Sequence, residues 1–376
     1  MKAKLLIEVL VGLVSIKRPA YIQSSPGIGK TDIATQVGKR MDMPVIHIHA
    51  PSLLIENLGI PYPVQAEKKI EFFLTNLLPV IESTHSEVGI ILLDEAGQAG
   101  PEIQKVLANL IHARECYGHK IKEGWTFILT GNRTEDRAGA NTLLTHFADR
   151  MTILNLDFDI KSWVEWADSS GLVHEKVISY AMFAPQNINS FDPSRQINAT
   201  PRSWAEGVSR NMEVVPQESL MEVLEGDVGG AAVEFMGFLD WYGVLPTKAE
   251  FLAHPEESIK RLKEFHKIEV KDTDGNVSLQ MTQTPGRNVL SPDLGYALSG
   301  MLIHNNQMED FPASMNAAKE LPVDAGSMVF LRFLNKHRMV SVKYRTIVKE
   351  CLSRYNGVVL GESYAERDLE AAEQAA

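Results

Sequence analysis

The segment Ser24–Thr31 combines two glycines, a lysine and a threonine in a spacing that suits phosphate binding. Glycines let consecutive backbone N–H groups approach phosphate oxygens, and a helix that follows them adds its positive N-terminal end. In such a loop Lys30 would contact the β- and γ-phosphates of a nucleotide, and the Thr31 hydroxyl would ligate Mg²⁺. The predicted phosphate-binding residues are Ser25, Pro26, Gly27, Ile28, Gly29, Lys30 and Thr31.

One position of this segment departs from the usual pattern, because Ser24 stands where the motif begins with glycine. Taken alone, the segment could also be an ordinary strand, turn and helix. A nucleotide site therefore needs support from further polar residues that the fold would bring to the same place.

A pair of acids provides the first support, since Asp94 and Glu95 follow the apolar run 90–93. Ligands of open α/β sheets bind at the carboxyl ends of the strands, which is where this pair would lie. We predict that Asp94 holds Mg²⁺ through its water shell and that Glu95 orients or deprotonates the attacking water. Taken alone, the pair could instead begin a solvent-exposed helix.

A small amide provides the second support, since Asn132 ends another apolar run after Gly131. An asparagine at that point could reach between the acid pair and the terminal phosphate and help to place the water. A Gly-Asn turn is the alternative. The three sites occur in the right order, each at the end of a predicted strand, so we interpret them together as one ATP site.

The elements that would position these residues alternate between strand and helix in the first part of the chain. Apolar strands separated by segments of helix length are typical of a parallel sheet with both faces covered, which makes this part an α/β domain. A helix is predicted over 31–41. The predicted strands are 20–23, 44–49, 88–93, 125–130 and 151–156.

Beyond Asp157 the strand signal fades, and helices are predicted over 160–168, 175–183 and 201–212. Residues 231–242 and 327–355 also have a mostly helical pattern, whereas 267–285 is a polar stretch. The predicted domains are an α/β nucleotide-binding core over 1–157, an α-helical lid over 158–225, a mixed, mostly helical C-terminal extension over 226–360 and a disordered or frayed tail over 361–376.

Composition limits the class of partner. The 376 residues are 44% hydrophobic and 23% charged, which is typical of a globular protein, and the net charge of −11 disfavours a nucleic-acid backbone as the main partner. Only Cys116 and Cys351 are present, and their separation favours two free thiols in a reducing compartment. The N-terminal apolar stretch 5–14 contains Glu8 and is predicted to be an amphipathic helix. We therefore expect a cytoplasmic location without membrane contact.

These motifs together resemble the MoxR-type AAA+ ATPases, in particular the branch encoded beside von Willebrand A-type proteins. The resemblance covers about residues 18–215 and is loose beyond them. The residues that carry it are Ser25-Pro26-Gly27-Ile28-Gly29-Lys30-Thr31, Leu93-Asp94-Glu95, Gly131-Asn132-Arg133, Asp136-Arg137-Ala138-Gly139, Phe147-Ala148-Asp149-Arg150 and Thr200-Pro201-Arg202-Ser203-Trp204.

The resemblance implies a role for each matching position. Lys30 and Thr31 correspond to the Walker A lysine and threonine, Asp94 and Glu95 to the Walker B acids, and Asn132 to sensor 1. Two arginines follow from the resemblance as well. Arg150 corresponds to the arginine finger that reaches the nucleotide of a neighbouring subunit, and Arg202 corresponds to sensor 2, which acts in cis. Arg133 and Arg137 compete with Arg150 for the finger role. A surface salt bridge is the alternative for Arg150 and for Arg202.

The resemblance also implies an assembly and a task. An arginine acting in trans requires a homo-oligomeric ring, which we expect to be a hexamer. The family's role predicts an ATP-hydrolysing, chaperone-like remodeller of a protein client that uses Mg²⁺ and a von Willebrand A-type adaptor. Inserts over 51–69 and 114–126 would face the central pore. Two alternatives stay open: a nucleic-acid-linked motor or loader, and a nucleotide-dependent scaffold that hydrolyses ATP weakly.

Overall fold

The computed structural model describes residues 1–74, 76–133, 136, 145–271, 277–304, 306–337 and 339–359. The chain divides into two compact units. The first unit comprises 1–163 and 189–202, and the second comprises 164–188 and 203 onward. The position Arg137 and the predicted tail over 361–376 lie outside the described residues.

A parallel sheet forms the centre of the first unit, in the strand order β2-β5-β8-β1-β9. The predicted α/β fold with five parallel strands is therefore confirmed. Short antiparallel hairpins make up the other described strands of this unit. The strands are β1 (Ala20–Ser24), β2 (Val45–His49), β3 (Gly59–Val64), β4 (Lys69–Leu74), β5 (Val88–Asp94), β6 (Glu115–Cys116), β7 (His119–Lys120), β8 (Gly124–Asn132) and β9 (Thr152–Asn155).

Helices cover both faces of this sheet because its central strands are apolar on both sides. Ile91 and Leu93 of β5 pack in one buried cluster, and Ile90 and Leu92 pack in the other. Burying each such side chain contributes roughly 1.5–3 kcal/mol, which makes the sheet a rigid base for its loops. The helices of the first unit are α1 (Ala3–Ser15), α2 (Lys30–Met41), α3 (Ile55–Leu58), α4 (Pro101–Ala113) and α5 (Thr145–Ala148). The helix α6 (Ile160–Ser170) continues into the second unit.

The register of the strands brings polar residues to one edge of the sheet. Ser24 at the end of β1 lies opposite Asn132 at the end of β8, and Asp94 at the end of β5 lies opposite His49 of β2. Since all these strands are parallel, their carboxyl ends meet at the same edge. The predicted strand-end residues are therefore neighbours in space.

Hairpins occupy the two predicted inserts. The first runs over β3 and β4, so it extends five residues beyond the predicted end at 69, to Leu74. In the second, Gly118 has φ +88° and forms the turn between β6 and β7. The rings of Phe72 and Tyr117 stack at a centroid distance of 4.2 Å, which joins the two hairpins.

The second unit is mostly helical, as predicted, and it contains an antiparallel strand pair that was not predicted. The polar stretch 267–285 contains most of an antiparallel hairpin, β10 (Phe265–Lys271) and β11 (Val277–Gln283). Within the described ranges, no helix combines the length and apolar character needed to cross a lipid bilayer. The helices are α7 (Glu175–Phe183), α8 (Ser209–Val214), α9 (Gln217–Val228), α10 (Ala231–Leu239), α11 (Lys248–Ala253), α12 (Pro255–Leu262), α13 (Pro292–Ile303), α14 (Phe311–Ala318), α15 (Val323–Lys336), α16 (Val340–Lys343) and α17 (Arg345–Val359).

Candidate nucleotide-binding site

The loop between β1 and α2 has the backbone that the glycines predict. Gly27 and Gly29 have φ values of +75° and +94°, in the left-handed region that side chains with a Cβ rarely adopt. A Cβ on Gly27 would also lie 2.6 Å from the Thr200 side chain, so the position has no room for one. Gly29 caps α2, which leaves the free N–H groups of the first helical turn at the end of the loop.

Lys30 is a buried cation whose hydrogen-bond acceptors are neutral oxygens. Its Nζ donates to Oδ1 of Asn132 at 2.9 Å and to the carbonyl oxygens of Ser25 and Ser24 at 3.1 and 3.3 Å. Burial lowers the pKa of Lys30 to about 8, with a further contribution from the charge of Arg202. A buried ammonium group that is held by neutral oxygens is well suited to an incoming anion, because an anion would supply the missing counter-charge.

The serine that departs from the motif takes part in the same arrangement. Ser24 is fully buried, and its Oγ donates to the carbonyl oxygen of Ser25 at 2.9 Å while accepting from Lys30 Nζ at 3.2 Å. Glycine would leave the lysine with one acceptor fewer. Serine at this position therefore gives Lys30 one more hydrogen-bond acceptor than glycine would.

Asp94 is the centre of a second group of hydrogen bonds. Thr31 Oγ1 donates to its two carboxylate oxygens at 3.0 and 3.1 Å, Thr130 Oγ1 donates to Oδ1, and Nε2 of His47 lies 3.0 Å from Oδ2. Burial raises the pKa of Asp94, but the hydrogen bonds from Thr130, His47 and Thr31 outweigh it and hold the pKa below its usual value. Asp94 is thus kept ionised beside the Thr31 hydroxyl.

Glu95 leaves the strand in a left-handed conformation, with φ +54°. Its backbone N–H donates to Thr130 Oγ1 at 3.0 Å, and its carboxylate Oε2 lies 3.2 Å from Nε2 of His49. The side chain is 38% exposed, so a water molecule can reach it. Two adjacent acids therefore have different surroundings, one half-buried among donors and one open to solvent.

His47 and His49 are residues of this site that the sequence did not assign to it. They alternate along β2, and that alternation is visible in the sequence, but their partners depend on β2 lying beside β5. Each histidine contacts one of the two acids. These contacts limit the orientations of the Asp94 and Glu95 carboxylates.

The predicted arginines occupy three different surroundings. Arg202 is exposed, and its backbone N–H donates to the Gly27 carbonyl oxygen at 3.1 Å, which holds it beside the loop between β1 and α2. Arg150 donates from Nη1 to the Ala108 carbonyl oxygen of α4. Arg133 donates from Nη2 to Asp157 at 2.9 Å and to the Leu156 carbonyl oxygen at 3.1 Å. The structure thus brings Lys30, Thr31, Asp94, Glu95 and Asn132 together at one edge, with Arg202 beside the loop and Arg150 against α4.

Comparison with known proteins gives a family match within the first unit. Residues 20–153 match the model of the family described as "ATPase family associated with various cellular activities (AAA)". The matched segment contains the loop between β1 and α2 and nearly all of the five-stranded parallel sheet. A search of curated proteins gives no match.

The solved structures that this chain matches have low sequence identity to it. A provisionally assigned ATPase from Cytophaga hutchinsonii is 19% identical, with a TM-score of 0.32 over 66% of this chain and 65% of its own. The Holliday junction branch migration motor RuvB of Thermotoga maritima is 14% identical, with a TM-score of 0.37 over 75% and 91%. NtrX from Brucella abortus, in complex with ADP, is 15% identical, with a TM-score of 0.32 over 62% and 65%. This chain therefore spans less than two thirds of the first and third of these proteins.

Proposed function

We propose that this chain binds ATP with Mg²⁺ at the edge formed by β1, β5 and β8 and hydrolyses it to ADP and phosphate. The observation that carries the proposal is the direct bonding of the predicted residues. Lys30 contacts Asn132, and Thr31 contacts Asp94, although each pair is more than 60 residues apart in the sequence. Residues that the sequence assigns to one reaction, although they come from three separate motifs, are therefore in contact.

The loop fits a nucleotide phosphate. Gly27 and Gly29 adopt conformations that expose the backbone, and Lys30 is a buried cation with neutral acceptors. A phosphate would accept hydrogen bonds from the loop N–H groups and from Lys30, and the neighbouring Arg202 would add a second positive charge in cis. We assign phosphate contacts to Ser25, Pro26, Gly27, Ile28, Gly29 and Lys30.

The adjacent oxygens fit Mg²⁺, which prefers hard oxygen ligands and retains several waters. Thr31 Oγ1 and the ionised carboxylate of Asp94 lie within 3.1 Å of each other and could both contact the ion or its water shell. When bound, the ion would neutralise charge on the transferring phosphate. Thr130 and His47 hold the Asp94 carboxylate in place for this role.

The exposed acid is suited to act on water. Glu95 is open to solvent, and the contact with His49 and the hydrogen bond from its own backbone to Thr130 limit its orientations. We assign to it the orientation of the attacking water and the acceptance of its proton. Asn132 would assist by presenting its amide to the same water or to the terminal phosphate.

The assembly that we propose is a homo-oligomeric ring, with six subunits as the family resemblance implies. In such a ring Arg150 would reach the nucleotide of the next subunit and stabilise charge in the transition state. Arg202 would act in cis. Arg133 fits the finger role less well, because it is held by Asp157 and Leu156 of its own chain.

Within that ring we propose a chaperone-like action on a protein client in the cytoplasm, assisted by a von Willebrand A-type adaptor. Residues 158–225 would act as a lid, and residues 226–360 would form a C-terminal extension. The hairpin of β3 and β4 supports a protein client, because Ile60 and Phe73 are 54% and 63% exposed on paired positions. Exposed apolar pairs of this kind are suited to contacts with peptide side chains. A nucleic-acid motor would instead need a dense basic surface, which the net charge of −11 disfavours.

The Glu95→Gln variant tests hydrolysis separately from binding. It keeps the shape of the side chain and removes the base, so ATP affinity should stay near the parent value while turnover falls roughly 10²-fold or more. Isothermal titration calorimetry measures the affinity, and a steady-state phosphate-release assay measures the turnover. Near-parental turnover in this variant would remove Glu95 from the reaction, and a parent without turnover would favour the scaffold alternative.

Mixing two inactive variants tests the ring and the role of Arg150. The Arg150→Ala variant should bind ATP and hydrolyse it at least about 10³-fold more slowly, and Lys30→Ala should not bind it. Mixed rings contain interfaces where an intact Lys30 site meets an intact Arg150, so the mixture should recover activity, with assembly followed by light scattering. Absence of any recovery would argue for an arginine in cis or for a monomer, and full activity of Arg150→Ala alone would shift attention to Arg133 or Arg137.

A further inference from the structure

A cavity of about 450 Å³ lies within the second unit, and none of its lining residues is among those proposed for ATP. Its volume is in the range of small-molecule sites. Residues of α6, α7, α13 and α15 contribute to its walls. Its charged and histidine side chains include Asp168, His174, Glu175, Glu213, Arg332 and Lys336.

Arg332 is the residue of this cavity that most needs a further partner. Its side chain is 7% exposed, and its Nη2 forms an ion pair with Asp168. Within the part of the chain that the structure describes, its Nε and Nη1 have no hydrogen-bond partner. A buried donor without an acceptor costs about 1–3 kcal/mol, so two of them on one guanidinium group favour an acceptor from outside the chain.

Two neighbouring features favour an anionic acceptor. Lys336 lies one helical turn after Arg332 on α15 and lines the same cavity, and its Nζ donates to a neutral acceptor, the carbonyl oxygen of Asn306, at 3.3 Å. The cavity also borders the first turn of α7 at Glu175. The N-terminal end of a helix carries a partial positive charge that stabilises an anion.

The acids of the cavity limit how much charge the ligand can carry. The Asp168 carboxylate is engaged by Arg332, and that of Glu175 by Nδ1 of His304 at 2.7 Å, while Glu213 adds a third negative charge. A dianion would be repelled by these groups, whereas a single carboxylate is matched by Arg332 and Lys336. Aliphatic side chains of the wall suit a small hydrocarbon body: Ala167, Leu172, Val173, Ile178, Met182 and Ile303.

We propose that this cavity binds a small organic monocarboxylate, whose carboxylate accepts hydrogen bonds from Arg332 and Lys336 and whose apolar part lies against the aliphatic wall. A planar guanidinium is the side chain best matched to a carboxylate, which favours this class over a neutral ligand. This proposal shares no residue with the proposed ATP site, so its test gives the same answer whether or not the chain hydrolyses ATP.

The test compares three probes of nearly equal size on the full chain. Isovalerate carries one carboxylate, 3-methylbutan-1-ol is its neutral counterpart, and methylsuccinate carries two carboxylates. Titration calorimetry should give saturable binding of isovalerate, with affinity at least tenfold higher than for either other probe. Absence of saturable isovalerate binding up to about 20 mM, or equal binding of the alcohol or the dicarboxylate, would overturn the proposal.

Variants locate the binding in the cavity. Lys336→Met should weaken isovalerate binding at least threefold, whereas Lys343→Met, a matched loss of charge in the same unit where Lys343 pairs with Glu309 at 3.0 Å, should leave it unchanged. The double variant Arg332→Met with Asp168→Leu removes the ion pair without leaving a lone charge and should abolish binding. Parental affinity in the double variant, or equal effects of the two lysine variants, would place the probe elsewhere. If the double variant fails to fold in a circular-dichroism melt, the lysine pair decides.

Discussion

Lys30 in the first unit and Arg332 in the second are both buried cations, but their surroundings differ. Lys30 is held by the carbonyl oxygens of Ser24 and Ser25 and by the amide of Asn132, all neutral. Arg332 is paired with the carboxylate of Asp168 in its own unit. One cation therefore lacks a direct counter-ion, and the other has one.

Because their partners differ, burial has a different consequence for each of these two cations. Burial lowers the pKa of Lys30 to about 8, so the charged form is kept at a cost to stability that an anion would relieve. Burial also lowers the pKa of Arg332, but the charge of Asp168 opposes the effect. Removing Lys30 should thus harm ligand binding more than folding, and removing Arg332 should harm folding.

The largest expected effect is the loss of ATP affinity in Lys30→Met. The variant removes the only proposed side-chain contact from the loop to the β- and γ-phosphates, and we expect affinity to fall at least about 10³-fold, or 4 kcal/mol. The stability of the ligand-free chain should change by less than about 1 kcal/mol, because relief of the buried charge offsets the lost hydrogen bonds. Calorimetry and thermal unfolding measure the two quantities. A destabilised variant that still binds ATP would reverse the comparison.

The second effect is on folding, in Arg332→Met. The variant leaves the Asp168 carboxylate without its partner, and we expect a loss of about 2–3 kcal/mol in the free energy of unfolding, below the value for a fully buried pair because Asp168 is 25% exposed. The double variant with Asp168→Leu should recover most of this loss. Urea unfolding of the single and double variants checks the expectation, and ATP affinity serves as the control because it should not change.

A third variant, Asn132→Asp, gives Lys30 the kind of partner that Arg332 has. A carboxylate in place of the amide oxygen 2.9 Å from Nζ should raise the pKa of Lys30 and repel the phosphates. ATP affinity should fall about tenfold, or 1.4 kcal/mol, without loss of stability. Asn132→Ala is the matched control, since it removes the hydrogen bond without adding charge. Equal affinities for the two variants would show that charge at this position is unimportant.

The smallest effect is expected at the surface. Lys343 pairs with Glu309 at 3.0 Å, but both side chains are exposed, at 44% and 67%. Lys343→Met should change the free energy of unfolding by no more than about 0.5 kcal/mol, because exposed ion pairs are screened by solvent. The same urea series measures it. A loss as large as that of Arg332→Met would mean that burial does not separate these cations.

The local motifs and the sheet could be predicted from the sequence because their signals are short-range. An apolar strand, a glycine loop and a following helix are contiguous, as in β1, the loop 25–29 and α2, so local pattern specifies them. The rule that ligands bind at the carboxyl ends of parallel strands then predicted that Lys30, Asp94 and Asn132 lie at one edge of the sheet. The domain boundaries and the roles of the arginines stay predictions.

The strand pair β10–β11 was not predicted because the segment 267–285 was interpreted from its polar composition, although Val277, Leu279 and Met281 alternate with polar residues along β11. The partners of His47 and His49 were missed for a different reason. Their alternation is visible in the sequence, but the acids that they contact lie more than 40 residues away and become neighbours only when β2 pairs with β5 in register.

The sequence by itself thus determined the strands of the sheet and the strand ends beside which the candidate residues lie, since both follow from contiguous residues. Only the tertiary structure decided the partner of each group: neutral oxygens for Lys30, a carboxylate for Arg332, and a histidine for each acid. The physical reason is that charge compensation acts over a few ångströms in space, across residues that chain order separates by dozens of positions.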